Sequence, residues 1–458
     1  MKHLIALSHL LVIALAMGCQ AQTQPTIDAD VVFSNVQIID VARGDINSGQ
    51  DVFVSAGRIV DISPTGKIPA AEGAIIIDGS GKYLSPGLAE MHAHIPVPQM
   101  GPNRVEETLL LYLSNGITTI RGMLGQPYHL ELCEQVSNGE VLGPRIYTSS
   151  PSLNGNSMPD PETARTLVTQ YQQDGYDFLK IHPGIQREVF DTIVAVANEV
   201  GIGFAGHVPV DVGVRRALEA KYLSIDHVDG FIEGLIPESQ GVDPNTNGFF
   251  GVNFTRLADA SGIPELVAMS KEQGVWIVPT QSLFNSVFSP LPTDSIMAWP
   301  EMKYMPPTTR KQWYNTRSGF LQSVDEGAPA EEFLALRRKL ILALHRSGKG
   351  LILGSDAPQV FNVPGFSIQR ELQAMVEAGL TPLEALQIGT LNPARYFGKE
   401  GNFGQIAKGM SADLILLDAD PTQDISAMSQ IDGVMVKGNW LDRDFLDSEL
   451  KKIEERNR

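Results

Sequence analysis

The stretch Tyr83-Leu84-Ser85-Pro86-Gly87-Leu88-Ala89-Glu90-Met91-His92-Ala93-His94 decides how the rest of the chain is read. It is a short apolar run of strand character that ends in His-x-His. Residues i and i+2 of a strand point to the same side, so His92 and His94 can reach one metal ion from a strand end. Neutral imidazole is the commonest metal ligand and suits Zn²⁺ well. A lone His-x-His is weak, and its weight comes from the residues downstream. Lys180, His207, His227 and Asp356 each lie at or just after another short apolar run.

Working outward, strand patterns alternate with helical ones, which predicts βα units and a parallel sheet. Eight strand candidates follow one another: 88–91, 117–121, 145–148, 178–181, 204–207, 223–227, 275–279 and 350–354. Helical patterns such as 189–200 and 212–220 lie between them. Eight such units predict a (β/α)8 TIM barrel over residues 83–404. A doubly wound open sheet is the competing architecture, but no glycine-rich phosphate turn follows the early strands. Short β-rich pieces separated by Gly, Asn and Asp turns occur on both sides of the barrel, at 27–82 and 405–445. They predict a small β-sandwich domain formed by both chain termini. Two connections, 229–273 and 281–328, exceed what a barrel needs. The second is rich in aromatics and methionines and is expected to act as a lid, with Phe284, Trp299 or Trp313 covering the apolar side of a substrate.

The chain has 458 residues, 43% of them hydrophobic and 19% charged, with a net charge of −18. That balance is globular and gives no support to nucleic-acid binding, which calls for a basic face. Lys2, the apolar run from Leu4 to Ala16 and the small residues after it predict an export signal over residues 1–21. Cys19 after Gly18 also matches a bacterial lipoprotein processing site, which would anchor the protein to a membrane through a lipid. Cleavage after Ala21 is the alternative. Both make the mature protein exported, either periplasmic or lipid-anchored. Cys19 and Cys133 are the only cysteines, so no intrachain disulfide is expected.

In a barrel the C-terminal strand ends converge on one mouth. Four histidines, one carboxylate and one lysine around that mouth amount to a two-metal site. These residues, in this order, resemble the amidohydrolase superfamily. The match includes Ser85-Pro86-Gly87-Leu88 before His92-Ala93-His94, then Gly206-His207, Asp226-His227 and Gly354-Ser355-Asp356, and the return through Thr390-Leu391-Asn392-Pro393-Ala394 and 404–414. Within the superfamily the chain is most similar to the imidazolonepropionase-related branch that includes metal-dependent Xaa-Pro dipeptidases.

The resemblance implies two divalent metal ions, expected to be Zn²⁺. His92, His94 and Asp356 would bind the first, His207 and His227 the second, and a carboxylated Lys180 would bridge them. It implies hydrolysis of an amide C–N bond in a dipeptide or N-acyl amino acid, with Asp356 as the catalytic proton carrier. The same site would serve a cyclic amide, lactone or phosphoester hydrolase, and a catalytically inactive scaffold is the non-enzymatic alternative. Deaminases of the superfamily commonly carry a Glu shortly after the fifth-strand histidine. Here Val208-Pro209-Val210-Asp211 follows His207, which lowers that reading. Arg121, Tyr147, His182 and Gln281 lie at or past strand ends and are candidate substrate-binding residues, Arg121 for a carboxylate. Association into a homo-oligomer is left open.

Overall fold

The computed structural model describes residues 26–101, 103–323 and 329–458. The expected signal segment 1–21, with Cys19, lies outside the described residues. Five strands come first: β1 (Val31–Asp40), β2 (Asp45–Ser55), β3 (Arg58–Pro64), β4 (Ile75–Asp78) and β5 (Tyr83–Pro86). The barrel strands follow: β6 (Leu88–Ala93), β7 (Ile117–Gly122), β8 (Arg145–Leu153), β9 (Phe178–Ile181), β10 (Phe204–Gly206), β11 (Ser224–Asp226) and β12 (Trp276–Val278). The chain returns through β13 (Leu414–Leu417), β14 (Ile431–Val436) and β15 (Asn439–Asp442).

β6 to β12 pair in chain order as a seven-stranded parallel sheet. These strands are short and buried on both faces, as parallel strands covered by helices are, and all six residues of β6 and of β7 are buried. The eighth candidate, 350–354, is extended but bonded only at single bridges. Ile352 N donates to Ile277 O at 2.9 Å on one side, and Met91 N donates to Leu353 O at 2.8 Å on the other. The segment thus lies between β12 and β6 and nearly closes the barrel.

Glu90 fastens that seam from inside. Its carboxylate accepts from the backbone N–H of His92 at 3.0 Å, the N–H of Ser355 at 2.8 Å, and the Ser355 hydroxyl. Burial pushes its pKa up to about 8, against the opposing pull of those hydrogen bonds.

Strands from both ends of the chain are hydrogen-bonded into a single eight-stranded sheet, in the order β15-β14-β13-β5-β1-β2-β3 with β4 on β1. It has its own apolar core, including Val31, Phe33, Leu84, Leu414 and Met435. β5 runs into β6, so the sheet is joined directly to the strand that carries the histidine pair. The β15 strand and the helix Arg443–Arg456 escaped the sequence reading. Asp442 caps that helix, accepting from Phe445 N at 2.8 Å, and Leu446, Leu450 and Ile453 pack into the barrel's core.

The described part of the connection, 281–323, is largely helical, not an open loop: Gln281–Val287, Thr293–Met297 and Pro307–Ser323 are helices. Phe284 and Trp313 are buried in the main core, and Trp299 packs against it beneath the Arg370 guanidinium. The aromatics expected over the substrate therefore serve mainly as packing.

A test of the seam follows from the raised Glu90 pKa. The folded state holds a proton on Glu90 that the unfolded chain releases above its ordinary carboxylate pKa. Its contribution to stability is therefore full at low pH and is lost as pH rises from about 4.5 through about 8. Glu90→Gln mimics the protonated acid and keeps its acceptor oxygen. Thermal unfolding of the metal-free proteins should show wild type losing stability relative to Glu90→Gln across that window. A constant difference from pH 5 to pH 8 would contradict the assignment.

Candidate metal centre

The strand ends bring the predicted ligands together. His92, His94, His182, His207, His227 and Asp356 line one cavity of about 330 Å³. The imidazoles form an arc. Ring centroids are 5.3 Å apart for His92–His94, 4.5 Å for His92–His227, 4.6 Å for His227–His207 and 5.0 Å for His207–His182. Asp356 stands at the His94 end, with Oδ1 2.7 Å from His94 Nε2 and 3.4 Å from His92 Nε2. Ligand atoms of His92, His227 and Asp356 lie within 4.8 Å of one another.

Lys180 is completely buried in β9, and its Nζ has no hydrogen-bond partner. Gly206 on β10 makes room for its stem, since a Cβ there would meet Lys180 Cδ at 3.1 Å. An orphaned buried ammonium is expensive, and burial pushes the Lys180 pKa down to about 8, while Asp226 and Asp356 act in the opposite sense. Burial also holds His92, His207 and His227 well below the ordinary histidine value, with Lys180 adding to the effect. The imidazoles are thus neutral and keep the lone pair a metal requires. Buried neutral imidazoles beside a carboxylate fit a divalent cation, and His92, His227 and Asp356 are close enough together to share one.

Three of the histidines have a polar neighbour behind the ring. Asp226 Oδ2 is 3.0 Å from His92 Nδ1, and Asp229 Oδ2 is 3.1 Å from His207 Nδ1. The Thr280 hydroxyl is 2.8 Å from His227 Nδ1. Outer partners of this kind fix ring orientation and raise ligand basicity. Asp226, Asp229 and Thr280 were not singled out from the sequence, although polar residues beside His227 in so short a buried run were a signal.

Arg337, from the helix Ala330–Ser347, is a further unforeseen support. Its Nη1 donates to His227 O at 2.7 Å, its Nη2 to Pro279 O at 2.9 Å and its Nε to Gln281 Oε1 at 2.9 Å. Its guanidinium also lies 3.4 Å from the Phe284 ring centroid.

The expected substrate residues separate. His182 lines the cavity, with Nδ1 2.5 Å from Ser152 Oγ. Arg121 does not line it. It is wholly buried in the barrel interior, donating to Met91 O at 2.6 Å, Ser224 Oγ at 2.8 Å, Tyr396 OH at 2.7 Å and Asp226 Oδ1 at 3.0 Å. Every arm of the guanidinium is engaged, so the expected carboxylate contact gives way to a structural ion pair. Burial opposes the charge on Asp226, but Arg121 and Lys180 prevail and hold its pKa below the usual carboxylate value. Tyr147 stacks on Phe397, centroids 3.7 Å apart. Gln281 is buried, binding Arg337 through Oε1 and Asn285 through Nε2. Both lie away from the cavity lining.

Fold and site together are those of a parallel barrel with a buried cluster of histidines and a carboxylate at its mouth. The amidohydrolase family model matches residues 83–441, and the chain belongs to that family. An adenine deaminase of Mesorhizobium japonicum is 24% identical over 426 residues, spanning 90% of this chain and 56% of that protein. The chain thus spans little more than half the length of that relative. Among solved structures, a bottromycin amidohydrolase superposes with TM-score 0.70 at 23% identity, covering 93% of this chain and 90% of that one. A putative prolidase from Bifidobacterium longum gives 0.67 at 23% identity, covering 94% and 100%. At such identities the two structures speak for the fold.

The buried Arg121–Asp226 pair carries a stability test. Arg121→Met strands Asp226 as an uncompensated buried charge, which typically costs about 3–5 kcal/mol. Denaturant unfolding should show a loss of that order, and a loss below about 1 kcal/mol would mean that the pair is dispensable.

Proposed function

We propose that this protein is a binuclear amidohydrolase that cleaves an amide C–N bond, in a dipeptide or an N-acyl amino acid. The observation that carries the reading is the convergence of His92, His94, His207, His227 and Asp356 on one cavity; Lys180, outside the lining itself, is buried in β9 with an unpartnered Nζ. Two divalent ions, Zn²⁺ by ligand type, would polarise the carbonyl and lower the pKa of water to about 7, supplying a nucleophile at neutral pH. His92, His94 and Asp356 would hold one ion, and His207 and His227 the other. Lys180 would bridge them as a carbamate, formed when its neutral amine adds to CO₂ and releases a proton. A pKa of about 8 leaves a usable fraction of neutral amine at physiological pH.

The chain's own groups account for the proton traffic. Asp356 lies beside His94 at the end of the arc and is the carboxylate that lines the cavity among the described residues. It takes the proton of the attacking water and passes it to the leaving nitrogen. His182, kept neutral by burial, orients the substrate by hydrogen bonding. Export, to the periplasm or to a lipid anchor at Cys19, is proposed from the amino-terminal stretch alone. Hydrolytic deamination is the second reading, favoured by the adenine deaminase relatives and tested by ammonia release from adenine.

Elemental analysis of active protein should find about two zinc equivalents, because six ligands exceed what one tetrahedral ion uses. Lys180→Ala should lose metal and activity, and short-chain carboxylic acids should restore part of both by replacing the bridge. One equivalent in fully active protein, or full activity in Lys180→Ala, defeats the bridged centre. Asp356→Asn keeps its size and an oxygen ligand but loses the proton acceptor. It should fold normally with kcat reduced by about 10²-fold or more, and an unchanged kcat would show that the proton takes another route.

A further inference from the structure

A second cavity of about 350 Å³ lies behind His207. Its walls are mainly apolar, contributed by Pro183, Val208, Pro209, Val210, Phe249 and Phe250. His207, Phe249 and Phe250 also line the metal cavity, so the two spaces share a wall. Phe250 is the central piece of that wall. Its ring centroid lies 5.7 Å from that of His207 and 5.3 Å from that of His227, and it packs edge-on against Phe284 at 5.1 Å.

The backbone at Phe250 is left-handed, with φ 53° and ψ 42°, and Gly251 follows at φ 81°. An aromatic residue in that region is an outlier, and such strain persists where the surroundings enforce it, commonly beside ligands. The carboxylates at the cavity's margin are engaged except at Glu233 Oε2, which is buried without a hydrogen-bond partner. Asp229 holds His207 and the Val208 N–H, and Glu233 accepts from Asn247 Nδ2 at 2.6 Å. Apart from that oxygen, what the cavity offers a ligand is mainly apolar surface.

We propose that this cavity is the acyl-side pocket of the enzyme, receiving an uncharged aromatic or branched aliphatic group attached to the scissile carbonyl, and that Phe250 sets its entrance. The inference rests on the amide-hydrolase reading given above. The orientation comes from the arc. Asp356 lies nearest His94 and His92 and 4.0 Å from His227, so a leaving nitrogen protonated by Asp356 faces that side of the arc, away from His207. The acyl substituent is then turned toward His207 and past Phe250. A volume of this order suits a benzyl or isobutyl group, at the lower end of small-molecule sites.

The test compares N-acetyl, N-isovaleryl and N-phenylacetyl derivatives of one amino acid, with calorimetric binding of phenylacetamide as a second readout. Wild type should favour phenylacetyl over acetyl by about 10–100-fold in kcat/KM, the range that apolar pocket filling supplies. Val210→Phe fills the pocket at a position that is 37% exposed and tolerant of size, and should cut that ratio about tenfold while weakening phenylacetamide binding. Phe250→Ala widens the entrance and should raise the relative kcat/KM of a naphthylacetyl derivative. Should Val210→Phe not fold, the Phe250→Ala result decides. Hydrolysis with no acyl preference, or ratios that neither variant moves, overturns the pocket. If wild type hydrolyses none of the amides, binding of phenylacetamide separates the two ideas. Binding that Val210→Phe weakens upholds the pocket and sinks the amide reading, whereas equal or absent binding sinks the pocket as well.

Discussion

The pairing of Arg121 with Asp226 in the barrel interior is the constraint on which the candidate metal centre depends. One guanidinium on β7 reaches the Met91 carbonyl on β6 and both Ser224 and Asp226 on β11. It therefore ties the strand carrying His92 and His94 to the strand that leads into His227. Asp226 remains an anion in that dry interior because Arg121 and Lys180 outweigh its desolvation. Its Oδ2 lies 3.0 Å from His92 Nδ1. Arg121 thus bears on the candidate site through Asp226, from below its floor.

Above that floor the backbone is strained where the site needs it. His227, Thr280 and Asp356 all adopt left-handed conformations, with φ of 65°, 46° and 67°. For non-glycine residues each costs about 1–3 kcal/mol and must be enforced by its surroundings. Arg337 supplies part of that enforcement, because it bonds to the carbonyls of His227 and of Pro279, the residue before Thr280. Glu371 completes the frame by accepting from the backbone N–H groups of Gln281 and Ser282.

Much of this was legible in the chain because parallel barrel strands are short apolar runs, and polar residues at their ends stand out against them. His92, His94, His207, His227 and Asp356 were visible for that reason, and the cavity assembles all five. The same contrast marked Arg121 but could not tell an arginine facing the mouth from one facing inward. That depends on which side of β7 the residue occupies and on partners such as Tyr396, 275 residues away. The aromatic connection 281–328 misled for a related reason. Apolar content alone does not distinguish a lid from a packed helix, and Phe284 and Trp313 are in the core. Phe249 and Phe250, which do line the cavity, sit among short turns whose strained backbone leaves no periodic trace.

The terminal sheet has a consequence for how the protein is made. β13 pairs with β5, and Arg58 on β3 reaches the carbonyl of Gly409, 351 residues further along the chain. A nascent chain emerging amino end first has β1 to β5 available long before their carboxyl-terminal partners exist. Until then β5 presents an open edge, the kind of surface that invites pairing with other chains. Closing so long a loop is slow compared with local helix formation. Synthesis of the last strands therefore sets the earliest moment at which the sheet is complete, and the incomplete edge is where a chaperone would have most to protect.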